Sequence, residues 1–454
     1  MKRVWLIGLT LMGAAQAAEA VTVTLEQATQ MALQADPRIE EQRANVAAAQ
    51  ALIQKVAGEG GVRASVNLYA GLAPKASNGI YTNGTNTCAA GPGCTLRSDG
   101  MSLNDGITVS TGIMASIIQP LYTFGKLENY RTAAEYNKKF KTEEVALAKG
   151  QTWLTVRRAY YGYLTARDTR QFLLGVRQQL ADTEAPLTKK AEEGKVPMRD
   201  VYALQSGLGQ LDRYIAEAQG VEAVALDGLK TIIGVPIKDE LTVADAHIEP
   251  VALPSGNLQQ FAQQALDDRP EMKMAQNGLA ALRAYVAARK ADYYPDLYAG
   301  ILLAGQYTPG RQRIDNPYLY DPFNMGLATP VIGLKWDFNP GVLRANVSDA
   351  EAQLQGAVAK AQLAQVGIPY QVSEAYHGAE SLKQQIAALD KARAASRRWM
   401  ISSFLDFQAG LVDGGVLALS VTGNTQTQVD YLRAINDYNM KVAELKLATG
   451  DYPQ

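Results

Sequence analysis

The sequence predicts a mainly α fold with β, made of long helical hairpins and four strands, and built as two copies of one large unit. Three observations carry that expectation. First, Leu25 to Pro37 (LEQATQMALQADP) returns 233 positions later as Leu258 to Pro270 (LQQFAQQALDDRP), and Val66 to Leu72 (VNLYAGL) returns as Pro295 to Ile301 (PDLYAGI). A period this long is not that of a solenoid, whose repeats run to roughly 20–50 residues. Second, two stretches of matched length, 126–193 and 342–409, run with few helix breakers. At about 1.5 Å per residue each is roughly 100 Å of helix, far beyond the ordinary globular range. Third, four stretches alternate apolar and polar residues at the period of a strand.

The first 20 residues read as a secretory signal: Lys2 and Arg3, an apolar run from Val4 to Gly13, then the small residues Ala18 and Ala20. The apolar run is too short to span a bilayer as a helix. Without residues 1–20 the formal charge is −2, a near balance that argues against nucleic acid as a partner. An exported chain meets an oxidising compartment, and Cys88 and Cys94 sit in a Gly/Asn/Thr-rich loop. A small structural disulfide and a pair of free thiols are both open.

Residues 25–57 read as one helix interrupted only by Pro37, ended by Gly58, Gly60 and Gly61. The period then changes to two. Val62, Ala64, Val66, Leu68, Ala70 and Leu72 alternate with Arg63, Ser65, Asn67, Tyr69 and Gly71. About eleven residues of alternation suit a tilted membrane strand, and equally a half-buried strand of a soluble sheet. A long polar loop (74–105) carries Asn78-Gly79 and Asn83-Gly84 turn signals, and a second alternating stretch covers 106–121. The second copy repeats the design with strands near 297–307 and 327–338 around a polar loop, 308–326. Tyr122 and Phe124 in one copy, and Trp336 and Phe338 in the other, fall where a membrane-interface girdle would lie. Each long helix ends at a glycine-marked turn, followed by a returning helix over 198–233 or 416–449. Pro369 is expected to bend or loosen the second long helix.

The boundaries that follow are a signal (1–20), a first repeat (21–236) with its strand hairpin at 62–122, a linker (237–257), and a second repeat (258–454) with its strand hairpin at 295–338. Four strands per chain leave two open edges, which hydrocarbon does not tolerate. A membrane sheet of this kind must be shared between chains.

No catalytic constellation is legible and no cofactor or metal is expected. The histidines, His247 and His377, are isolated, and Gly58-Glu59-Gly60-Gly61 precedes a strand rather than the helix a nucleotide loop requires.

The helix-opening LEQATQMALQADP and LQQFAQQALDDRP, the strand-to-helix passages QPLYTFGKL and LKWDFNPG, and the endings LKTIIGVP and LKLATGD resemble the TolC-like family of outer-membrane efflux channels. The resemblance implies a two-repeat TolC-like fold, with long helical hairpins forming an α-barrel and four strands per protomer joining a 12-stranded transmembrane β-barrel in a homotrimer. It places the linker in an equatorial belt. It implies an exit duct in the outer membrane of a Gram-negative bacterium, with a large periplasmic portion, for efflux or type I secretion. Its partners would be outer-membrane lipid, a periplasmic adaptor (membrane fusion) protein and an inner-membrane pump of RND, ABC or MFS type. It assigns adaptor docking to the hairpin tips, Gly194, Lys195, Val196 and Pro197, and Gly410, Leu411 and Val412. It also assigns a periplasmic gate. Asp200 matches an aspartate that ties the closed end in relatives, but the matching partner positions are Phe407 and Val412, which cannot form a polar link. The family's paired constriction aspartates fall at Val416 and Leu419. Two readings stay open: an apolar ring at those positions, or a displaced acidic ring from Asp406 and Asp413. The competing class is a periplasmic coiled-coil adaptor or scaffold, which leaves the strand hairpins unexplained.

Overall fold

In the computed structural model, residues 21–75, 81–82, 87–88, 92–96, 106–311 and 321–453 are described. The expected signal and both Asn-Gly turn signals lie outside them, as does the middle of the second polar loop.

The element order is β1 (Val21–Val23), α1 (Leu25–Ala35), α2 (Pro37–Glu59), β2 (Arg63–Pro74), β3 (Tyr81–Thr82), β4 (Thr87–Cys88), β5 (Thr95–Leu96), β6 (Ile107–Tyr122), α3 (Lys126–Glu192) and α4 (Met198–Ile233). It continues with β7 (Leu241–Val243), α5 (Leu258–Asp268), α6 (Pro270–Ala291), β8 (Asp296–Tyr307), β9 (Met325–Lys335), α7 (Pro340–Gln408) and α8 (Gly414–Thr449). Two compact units are distinguishable, and each draws on both halves of the chain.

The first unit holds residues 1–45, 141–274 and 360–454. Its short helices begin alike: Thr24 with Gln27, and Asn257 with Gln260, form reciprocal capping boxes, satisfying amide donors the first helical turn leaves free. The expected single helix over 25–57 is two helices. Asp36 precedes Pro37 and adopts φ −72°, ψ 113°, because the proline ring disfavours α geometry in the residue before it. Arg269 does the same before Pro270 (φ −63°, ψ 134°). Each break is then tied down with opposite charges. Asp36 binds Arg38 (2.7 Å) and accepts from Thr152 on α3 (2.5 Å). Arg269 binds Glu271 (2.6 Å) and donates to Gln371 on α7 (2.7 Å). Both long helices continue through their internal prolines, Pro186 and Pro369.

The linker is not featureless, since β7 within it pairs in parallel with β1. Side chains of α3 and α8 hold the linker by its backbone. Arg167 donates to the carbonyls of Asp245 and Ala246 (2.9 and 2.6 Å), Asp168 accepts the Ile248 amide (2.8 Å), and Asn439 bonds both Val251 N and Glu249 O. The Tyr160 hydroxyl donates to Asp245 (2.9 Å), and burial together with that carboxylate raises its pKa. A core of Val156, Tyr160 and Leu164 from α3, Leu229 and Ile233 from α4, and Ile435 from α8 lies beneath.

The second unit (46–140 and 275–359) is built on a four-stranded sheet of order β2-β6-β8-β9, antiparallel throughout. The last strand ends at Lys335, so Trp336 and Phe338 follow it rather than lying within it as the sequence suggested. A three-stranded sheet, β4-β3-β5, sits in the first long loop.

Candidate functional site

Two parts of the chain bear on function: the four-stranded sheet and the two hairpin tips. In the sheet the register places Val66 opposite Ala115, Leu68 opposite Ile113, and Leu72 opposite Val109. It continues with Ile117 opposite Ile301, and Leu297 opposite Leu334. Successive side chains of a strand point to opposite faces, so these residues form one apolar face across all four strands. They are not covered: Leu303 is 37% exposed, Leu68 76% and Ile332 78%. The opposite face carries the hydroxyl pair Ser65 and Ser116 (2.8 Å), Tyr69 donating to Gln306 (3.2 Å), and Gln306 donating to Ser110 (2.9 Å). On this polar face Tyr69 lies directly over its cross-strand partner Gly112, where a Cβ would fall 2.3 Å from the ring.

A soluble sheet covers its apolar face and wets its polar one. Here the apolar face is bare, and a contiguous bare patch of this extent is exceptional in water. Hydrocarbon is its matching solvent. Exposed aromatics mark one end of the sheet, with Tyr122 edge-on to Phe124 (4.7 Å), Phe124 stacked on Tyr294 (5.3 Å), and Trp336 beside Phe338 (4.7 Å). The outer edges of β2 and β9 have no strand partner among the described residues. No described helix is long and apolar enough to cross a membrane.

The tips are built alike. At the first, Gly194 takes φ 72°, its amide bonds Ala191 O (3.0 Å), and Lys195 N reaches Lys190 O (2.9 Å). At the second, Gly410 takes φ 75°, bonding Phe407 O (3.0 Å), and Leu411 N reaches Asp406 O (2.9 Å). This left-handed closure satisfies helix-end carbonyls and favours glycine. Lys190 donates to Gln408 O (2.9 Å), joining the two tips, over a core that includes Leu187, Val201, Phe407 and Leu417. Val196 and Val412 pack against that core, while Leu411 is exposed.

The suggested gate residues divide. Asp200 is buried, and its Oδ1 lies 3.6 Å from where a Cβ on Gly414 would sit. Its carboxylate thus faces the amino end of α8, the favourable end for an anion. Phe407 is in the core and offers no polar link. Asp413 caps α8, which begins at Gly414 rather than 416. Its carboxylate accepts the amides of Gly415 (2.9 Å) and Val416 (3.1 Å). The Asp-Gly-Gly sequence was the available signal for this cap, since aspartate is a strong N-cap and glycine a poor helix former. Asp406 is half-buried near the end of α7, with Ser402 3.5 Å away. Val416 and Leu419, three residues apart on α8, are 40% and 64% exposed, while Leu417, Ser420 and Val421 turn inward.

Cys94 is disulfide-bonded, and the side chain of Cys88 lies outside the described residues. His247 is exposed, with Nδ1 3.6 Å from Asp168, and His377 is exposed beside Glu380.

Residues 261–450 match the family model of outer membrane efflux proteins. Over 355 residues the chain is 26% identical to the cation efflux system protein CusC of Escherichia coli K12, covering 74% of this chain and 72% of that protein. Over 296 residues it is 25% identical to CyaE of Bordetella pertussis, covering 63% of this chain and 58% of that protein, so this match spans under two thirds of CyaE. The structure superposes on the Campylobacter jejuni CmeC outer membrane channel with a TM-score of 0.76 at 13% identity, covering 94% of this chain and 85% of that one. Residues 261–450 are thus similar to the outer membrane efflux proteins, and the chain carries the fold of the TolC-like outer-membrane efflux channels.

Proposed function

We propose that this chain is the outer-membrane exit duct of a tripartite efflux or type I secretion system, conducting substrates passively and catalysing nothing. The bare apolar face of the four-stranded sheet carries this reading: it fits lipid on one side and a wet lumen on the other. The match of residues 261–450 to the outer membrane efflux proteins agrees with it. In the antiparallel order β2-β6-β8-β9, the free edge of β9 runs opposite in direction to β2. The edge of one copy can therefore pair antiparallel with β2 of the next, a head-to-tail join that closes into a ring. Two copies would give only the minimum of about eight strands. The family architecture favours three copies, giving twelve strands and a homotrimer. The chain reads as two repeats, 21–236 and 258–454, that supply matched hairpins to this assembly.

At the periplasmic end the tips around Gly194 to Pro197 and Gly410 to Val412 would receive an adaptor protein, which in turn meets an inner-membrane pump of RND, ABC or MFS type. An apolar ring of Val416 and Leu419 closes the tip. The observation favouring it over a displaced acidic ring is that the Asp413 carboxylate is already engaged in capping α8. Cys94 pairs with Cys88 at the loop of the first strand hairpin.

Membrane fractionation followed by planar-bilayer recording tests the reading. The protein should remain in the outer membrane through salt and carbonate washes, and the purified oligomer should insert and pass a small current. Release by carbonate, with no insertion by a folded oligomer, would return the chain to the periplasmic scaffold class.

A further inference from the structure

The polar face of the sheet is open along most of its length and closed at one end. Met114, on that face, is 54% exposed, yet Ser110 and Ala73 further along the same face are 3% and 1% exposed. The two segments that flank the β8–β9 connection, residues 308–311 and 321–324, reach this end of the sheet at Ser110 and Pro74. The Thr308 hydroxyl lies 2.8 Å from Ser110 Oγ and 2.5 Å from the carbonyl oxygen of Phe323. Arg311 and Asp321 form an ion pair with side chains only 5% and 4% exposed; Nε lies 2.9 and 3.2 Å from the two carboxylate oxygens. Arg311 Nη1 also donates to the carbonyl of Pro74 (3.1 Å), the last residue of β2. Asn324 donates to Arg311 O (3.1 Å), the Phe323 amide donates to Asp321 (3.0 Å), and the guanidinium lies 5.1 Å from the Phe323 ring.

We propose that these two segments fold inward over the polar face and constrict the outer mouth of the duct, and that the buried Arg311–Asp321 pair sets the size of solute that can leave. The inference rests on the reading of the sheet as a shared barrel with its polar face inward. Two arguments carry it. Arg311 follows β8, but its partner Pro74 ends β2, and β6 lies between them in the sheet. The segment therefore reaches sideways across about two strand spacings, roughly 10 Å, instead of rising off the end of its own hairpin. A connection that simply stood in water would also have no need of a buried ion pair. Removing two charges from water is costly, and only closely fitted partners recover that cost. Here the pair's partners are the Pro74 carbonyl at the end of β2 and residues 323 and 324 of the second segment, and in a closed ring each copy contributes one such roof.

Bilayer recording of three purified proteins, with neutral polymers of graded size in the bath, tests this. The parent protein must first insert and conduct. If it does not, the duct reading fails, and this inference with it. Given a conducting parent, the double variant Arg311→Ala/Asp321→Ala, which leaves no orphan charge, should admit larger polymers from the outer side than the parent does, a readout that the closed tip at the other end does not limit. An unchanged polymer cut-off would overturn the constriction. The third protein guards against a double variant that fails to assemble. Pro322→Cys leaves the pair intact and places a thiol on an exposed residue of the roof, Cys94 being already disulfide-bonded. A bulky maleimide at that position should cut the current, whereas a labelled channel with full current would place the roof outside the bore.

Discussion

Asp413 offers the sharpest separation of charge from structure in this chain. Helix α8 begins with Gly414 and Gly415, each about 1 kcal/mol worse than alanine in a helix. Against that start, the Asp413 side chain accepts two amides, at 2.9 and 3.1 Å. Asp413→Ala removes both acceptors and should cost about 1 kcal/mol of local stability, within the usual range of roughly 0.5–2 for a lost N-cap. Asp413→Asn keeps an oxygen in the same place and removes only the charge. Amide hydrogen exchange at Gly415 and Val416 reads the difference directly. The alanine variant should exchange about fivefold faster, the factor equivalent to about 1 kcal/mol, and the asparagine variant close to the parent. Bilayer currents of the same proteins read the gate. With closure by Val416 and Leu419, Asp413→Asn leaves cation selectivity unchanged. Fast exchange in both variants would refute the capping argument and shift the stabilisation to charge against the helix dipole. A loss of cation selectivity in the asparagine variant would refute the apolar ring and restore the acidic one.

Other substitutions probe the sheet, the tips and the first helix break. Leu68→Lys, on the bare apolar face, should cost about 2–4 kcal/mol near mid-membrane and block assembly in vesicles; Asn67→Lys on the opposite face should assemble normally, and equal failure of both would undo the assignment of faces. Gly194→Val forces a β-branched residue to φ 72°, costing about 1–2 kcal/mol, and should make the tip the first site of limited proteolysis; an unchanged digestion pattern would show that the turn relaxes freely. Arg38 holds the Asp36 carboxyl at about 2, below its ordinary 3.8. A lowered folded pKa means the stabilisation is complete above 3.8 and is lost as pH falls through about 2. It is worth roughly 2 kcal/mol. Exchange at the α1–α2 junction should accelerate across that window in the parent and not in Asp36→Asn; identical acid profiles would refute it.

Much of this molecule is legible in one dimension because its physics is local and periodic. The duplicated segments, the change from helical to alternating period at residue 62, and the glycines at 194, 234, 410 and 450 each act on their own few residues of chain. They suffice for the order of the elements, the strand hairpins to within about three residues, and the resemblance to an efflux channel. The break at Asp36 was missed although its signal is local, since the residue before a proline avoids α geometry whatever surrounds it. Alternation alone could not tell a lipid-facing strand from a half-buried one, because both show the same period. Only the register of four strands, gathering Leu68, Ile113, Ile301 and Ile332 onto one uncovered face, distinguishes them. The same holds for Asp200 against Gly414, Arg167 on the linker carbonyls, and Arg311 against Asp321 and Pro74. Each joins residues distant in sequence or reads a backbone atom that no side-chain pattern encodes, so tertiary structure alone decides them.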